Sequence, residues 1–322
     1  MIEKALEFRQ MCIRFYKSRE NVVLFCFRLL LGIFVFSIIN SIGLHAGAFD
    51  LIFKPPLNLP YFLLSALFFA LLPPTLANGL IALEVVIQIS GSIEVASFAA
   101  LAFVLILVFY TRVQPKESYL IIAIIIAFYL KIPYAVVIFA GIYMGLTSII
   151  PIIIGTVIYQ FIPIFGNLAK SLAVSGEIDI FSLPETFLEV YRYIFESFTS
   201  VDNFSWIYVG FSFAIVIVAI HILSKASINY SKEMAIIIGG VLNLVCGIIG
   251  IAIGSYNESI IPLSLFAVLS IALIFIVRFF DCVLDYRRVE RVQFEDDDNF
   301  YYVKMIPKKM VSDRKENDNE RT

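Results

Sequence analysis

Two ionisable and three neutral polar side chains stand inside long apolar stretches of this chain: Lys131, Glu84, Asn78, Gln88 and Gln160. Ionisable groups at membrane depth are costly, which makes them functional candidates by default. Lys131 sits in Leu130-Lys131-Ile132-Pro133, where an ammonium needs a carboxylate or a cluster of carbonyls as partner. Glu84 and Glu94 bracket the polar turn Ser90-Gly91-Ser92, and either could pair with Lys131 or bind a cation. The amides of Asn78, Gln88, Gln160 and Asn243 could line a path through the bundle or join helices to one another. His221, a turn from the end of its apolar segment, and His45 beside Asp50 are isolated histidines. The first five residues form the candidate polar site for an ion or solute.

Other chemistries have no signature here. H-E-x-x-H, G-x-S-x-G, a nucleotide-binding G-x-x-x-x-G-K-[ST] and paired intramembrane aspartates are all missing, so catalysis is not expected. Cys12, Cys26, Cys246 and Cys282 lie singly in or beside apolar segments, which fits packing thiols. Neither a metal site nor a cofactor is expected from them. The acidic run Glu295-Asp296-Asp297-Asp298-Asn299 lacks the spacing and central glycine of a calcium loop. Basic residues collect at the two ends of the chain, a pattern that orients a membrane protein and does not call for nucleic acid.

The elements that must position the site follow from composition. Of 322 residues, 60% are hydrophobic and 16% charged, against about a quarter charged in a soluble domain. The expected fold is an all-α polytopic membrane protein with about eight membrane helices, two of them broken or re-entrant, and a small cytoplasmic β-hairpin tail. Residues 1–20 form a basic segment that reads as an amphipathic surface helix or as a simple orienting sequence. The transmembrane domain is placed at 21–285, beginning with Asn21 to Leu44 as an uncleaved anchor.

Proline marks the breaks: Pro73 and Pro74, Pro133 and Pro151. Tyr61 to Gln88 would make a helix of roughly 42 Å and Tyr119 to Ser148 one of about 45 Å, against a hydrocarbon layer of about 30 Å. Each segment is therefore either a kinked span or a re-entrant hairpin of two half-helices. The basic loop Arg112 to Ser118 lies inside only if both are hairpins, which favours that reading. Hairpin plus span would then occur twice in opposite orientation, with Ile93 to Thr111 and Ile152 to Phe165 as the spans.

The polar stretch 167–205 is expected outside, carrying an amphipathic helix with Leu183, Phe187, Val190, Tyr191, Ile194 and Phe198 on one face. It would serve as a lid or as an interfacial connector. Three more spans, near 206–224, 233–254 and 259–280, return the chain to the inside, so both termini are expected in the cytoplasm. The tail divides into a β-hairpin at 286–307 and a charged, disordered end at 308–322. Besides the lipid bilayer, the expected partner is a membrane or cytoplasmic protein held through 286–307.

The run R-R-V-E-R-V-Q-F-E-D-D-D-N-F-Y-Y-V-K-M-I-P-K, Arg287 to Lys308, resembles the tail of a family of uncharacterised polytopic, permease-like membrane proteins of anaerobic low-GC Gram-positive bacteria. The resemblance implies a bacterial plasma membrane and brings no catalytic or binding residues with it. The resulting expectation is a transport or permease-like subunit that moves a solute past the polar site. The alternative is a non-transporting scaffold that docks a cytoplasmic or cell-envelope partner through its tail.

Overall fold

The computed structural model describes residues 2–41, 58–90, 92–113, 119–174, 183–199, 205–228, 230–254, 259–281, 290–295 and 300–305. The expectations for His45 and Asp50, Cys282, most of the loop 112–118, the acidic turn and the end 308–322 lie outside the described residues. Among those described, the helices are α1 (Ile2–Ser18), α2 (Glu20–Ser41), α3 (Asn58–Leu71), α4 (Pro74–Ile89), α5 (Ile93–Val113) and α6 (Tyr119–Tyr129). They continue with α7 (Pro133–Tyr143), α8 (Ile149–Val174), α9 (Leu183–Thr199), α10 (Ser205–Lys225), α11 (Ser231–Ala252) and α12 (Ile260–Asp281). Strands β1 (Glu290–Glu295) and β2 (Phe300–Met305) pair antiparallel, with Val292 opposite Val303.

Five of these helices, α2, α8, α10, α11 and α12, are long and apolar enough to cross a membrane, and five shorter helices are apolar as well. The body is thus that of an all-α, multi-pass membrane protein, in which helices satisfy their own backbone groups where no water can.

The two long proline-broken segments both fold back on themselves. Tyr61 on α3 donates its hydroxyl proton to Glu84 on α4. In one continuous helix those residues would stand roughly 34 Å apart, so α3 and α4 must run in opposite directions. The reversal falls at Leu72-Pro73, with Pro73 extended and Pro74 opening α4 where its missing N–H costs nothing. The second reversal is read from neighbours. Helix α6 runs alongside α8, since Gly155 lies against Ile121 and Ile124 and Phe128 stacks on Tyr159 at 4.7 Å. Helix α8 opposes α10, through Ile153 at Gly210 and Phe161 at Trp206. Helix α7 runs with α10, through Tyr134 at Phe213 and Gly141 at Ile217 and Ile220. So α6 and α7 are antiparallel.

The two pairs open toward opposite ends of the bundle. Helix α5 runs back along α4, bringing Leu107 to Gly79, and starts at the Trp206 end, where Phe98 meets Phe165 and Tyr191. The open end of α3–α4 is therefore there. The open end of α6–α7 is at the Lys225 end, where Gly145 lies against His221 and Tyr143 donates to Asp281 at 3.2 Å. Around the pairs lie two apolar cores. One joins α2–α6 with α8 and α9, around Phe36, Phe69 and Ile89; the other joins α6–α8 with α10–α12, around Ile138, Phe213 and Ile236.

Three expectations need correction. Pro151 does not break a helix: it lies in the first turn of α8, where an absent N–H is harmless, and the interruption is upstream at Gly145 (φ +85°) and the 3₁₀ turn Leu146–Ser148. Helix α8 then runs through the internal Pro163 to Val174, well beyond a span ending at Phe165. Residues 167–174 accordingly belong to that helix and not to a loop.

Candidate polar site and the cavity beside it

Helix α4 carries the polar site because Glu84 and Gln88, four residues apart, share one of its faces. Both are buried, at 3% and 1% exposure. Gln88 donates its amide to Glu84 Oε1 at 3.4 Å, while the Tyr61 hydroxyl donates to Oε2. Ser65, one turn along α3 from Tyr61, hydrogen-bonds the same phenol. Neither a phenol nor an amide is cationic. Neither partner therefore offers the buried carboxyl a compensating charge. Gln88 Oε1 is buried without a hydrogen-bond partner, an acceptor facing the same surroundings. Among the described residues, no group of three or more His, Cys, Asp or Glu side chains is placed to hold a metal ion.

The structure brings together only part of the set read from the sequence. Glu84 and Gln88 meet; Asn78 lines a neighbouring cavity; Gln160 is half-buried on α8. Lys131 is not among the partners of Glu84, and its side chain is exposed instead of buried. The cause is local. The N–H of Ile132 bonds the carbonyl of Ala127 at 2.7 Å and that of Lys131 bonds Phe128 at 3.0 Å, which closes α6 with a Schellman motif. Lys131 occupies the left-handed position of that motif at φ +62°, where glycine is usual, and its side chain projects beyond the turn. Glu94 has a separate explanation: Ser92 caps α5, accepting from the N–H of Val95 at 3.4 Å and donating to Glu94 at 2.9 Å. Asn243 on α11 is 1% exposed, and neither atom of its amide has a hydrogen-bond partner.

Two features escaped the sequence reading. Tyr61, which the sequence marks only as the start of a long apolar segment, is the donor that joins α3 to α4. The available signal was its distance from the proline break, which nearly equals that of Glu84 on the other side. The second is an ionic cluster at the Lys225 end. Arg278, with 7% of its side chain exposed, reaches Glu233 at 3.0 Å and Asp281 at 2.7 Å. Lys232 pairs with Asp281 at 3.4 Å and lies 5.5 Å from the ring centre of Tyr143. This cluster ties the end of α7 to α11 and α12.

Between the two folded-back pairs lies a cavity of about 90 Å³, walled by α2, α4, α5, α6 and α8. Its lining is aliphatic and aromatic apart from Asn78. No protein-family model, curated protein or solved structure matches this chain.

Proposed function

We propose that the chain is a transport protein of a bacterial plasma membrane, with both termini cytoplasmic and with the two folded-back helix pairs as its working parts. Counting each pair as one element gives eight membrane elements: α2, α3–α4, α5, α6–α7, α8, α10, α11 and α12. The observation that carries the reading is the antiparallel course of both pairs from opposite ends of the bundle. Broken helices entering from both sides are the plan by which secondary transporters gather half-helix ends around a site. In this reading each pair is a re-entrant hairpin, and Glu84, with Tyr61 and Gln88, is the coupling site for a proton or small cation.

The test uses purified full-length protein in vesicles loaded with a pH-sensitive dye. An external acid pulse is expected to acidify the lumen through the protein, and Glu84→Gln is expected to slow this at least tenfold. Rates equal to those of protein-free vesicles would sink the reading. A second reading, a scaffold without transport, is favoured by the tail: β1 and β2 form a two-stranded hairpin, marginal in water unless packed on a partner. Absence of flux in the same vesicles would favour it.

A further inference from the structure

The cavity beside the polar site calls for an occupant of a different chemistry. Its wall contains no charged side chain, and Asn78 is the polar exception among residues such as Ile38, Ile81, Ile122 and Ile158. A hydrophilic solute would leave water there without gaining partners. Water itself avoids apolar cavities, which stay dry and bind apolar molecules instead. A void with nothing in it forfeits the dispersion contacts of every group that lines it.

The surrounding bilayer supplies the occupant. The inner wall, at Ile39, Ile122 and Ile162, is buried, while Ile81, Ile106 and Ile126 are only half-buried, so the cavity grades from closed to open. On its open side α5 continues into a face of Leu101, Val104, Leu105 and Val108, each more than half exposed. In a membrane that face meets hydrocarbon. The lining residues of α4, α5 and α8 come from the inner stretches of those helices, away from their ends.

We propose that this cavity takes an acyl chain of a bilayer phospholipid. On the transport reading above, the substrate class is then an amphiphile with a hydrocarbon chain; the acyl-chain site itself does not depend on that reading.

The experiment is photolabelling in nanodiscs made with a phospholipid that carries a diazirine midway along one acyl chain. Adducts on the full-length protein are mapped by mass spectrometry. Labelling of Ile122, Ile126 and Ile158 is expected to exceed that of the outward Leu105 and Val108 at least fivefold. Ala82→Phe, which fills the cavity from α4, is expected to lower the inner labelling at least fivefold and to leave the outer labelling unchanged. Inner labelling no stronger than outer labelling, or insensitive to Ala82→Phe, overturns the inference. Should Ala82→Phe not fold, Ile125→Trp from the α6 wall replaces it, and the wild-type ratio decides in either case. Flux of the pH dye in vesicles made from the same purified protein separates the two claims. Labelling without flux sinks the transport reading alone, and flux without inner labelling sinks the acyl-chain site alone.

Discussion

In α6–α7 the chain reverses through a hydrogen-bonded cap, and both arms then sink into packed protein. Ile124, Val137, Ile138 and Ala140 are completely buried, and α7 lies against α10, α11 and α12. In α3–α4 the chain reverses at two prolines, and the arms attach mainly to other helices. Helix α3 packs on α2, through Ala66 and Phe69 at Gly32, and α4 packs on α5. What joins α3 directly to α4 near their open end is a polar contact, Tyr61 to Glu84 with Gln88 beside it. One pair is held by shape and the other by a hydrogen bond to a titratable group. Shape does not respond to an ion, whereas a carboxyl does. On the transport reading proposed above, α3–α4, the first pair in the chain, is therefore the arm that a proton or cation would loosen.

The comparison breaks most visibly at glycine. A methyl group on Gly155 would lie 2.2 Å from Ile124 Cγ2 and 2.9 Å from the carbonyl oxygen of Ile121, so the second pair has no room to adjust. Gly155→Ala is expected to cost about 3 kcal/mol, the upper end of overpacking penalties. On Gly79 of the first pair the same methyl meets only Leu107 Cδ1, at 3.0 Å, the flexible end of a side chain. There the helix preference for alanine, about 1 kcal/mol, offsets the crowding, and Gly79→Ala is expected to be near neutral. Thermal unfolding of the two variants in detergent checks the pair. Equal losses would mean that the first pair is packed as rigidly as the second.

A smaller effect sharpens the polar half of the contrast. Tyr61→Phe keeps the ring and removes the donor, leaving Glu84 with the long amide bond from Gln88. The expected cost is about 1–3 kcal/mol, the penalty of an under-satisfied buried polar group. In a Glu84→Leu background, where no carboxyl is left to satisfy, the same change is expected to cost much less. A coupling energy above about 1 kcal/mol from the double-mutant cycle supports the hydrogen bond as the link between α3 and α4. Additive losses would show that the arms are joined by something else.

Much of this was legible in the sequence, and the exceptions have physical reasons. Pro73-Pro74 and Pro133 announce the reversals because a ring without an N–H is accommodated at least cost at a helix start. Pro151 carries the same signal but sits in a first turn, and proline alone does not distinguish a break from a beginning. That the first broken segment folds back, instead of kinking, shows in Tyr61 meeting Glu84 across 23 residues. A tertiary contact of that kind leaves no local pattern. Glu84 and Gln88 stand out as polar residues in an apolar run. Lys131 stands out for the same reason, yet composition does not reveal that the helix ends at that residue and turns its side chain outward. The cavity is the least legible feature, since its walls are isoleucines that read like any other core residues.

The smallest expected effect bears on that lysine. At φ +62° a residue with a Cβ is held about 1 kcal/mol above glycine in the left-handed region, so the cap of α6 stores a little strain. Lys131→Gly is expected to raise stability by roughly 0.5–1 kcal/mol, because the relief of that strain exceeds the added freedom of the unfolded chain. Lys131→Ala keeps the Cβ and gains nothing at the backbone, so it isolates loss of the ammonium. If Lys131 serves only to end the helix, the glycine variant melts higher and the alanine variant matches wild type in the pH-dye assay. If the ammonium at the tip takes part in transport, both variants lose flux while only glycine gains stability. Loss of flux together with unchanged or improved melting would return Lys131 to the functional site despite its separation from Glu84. Unchanged flux in both would leave the coupling chemistry to the first pair.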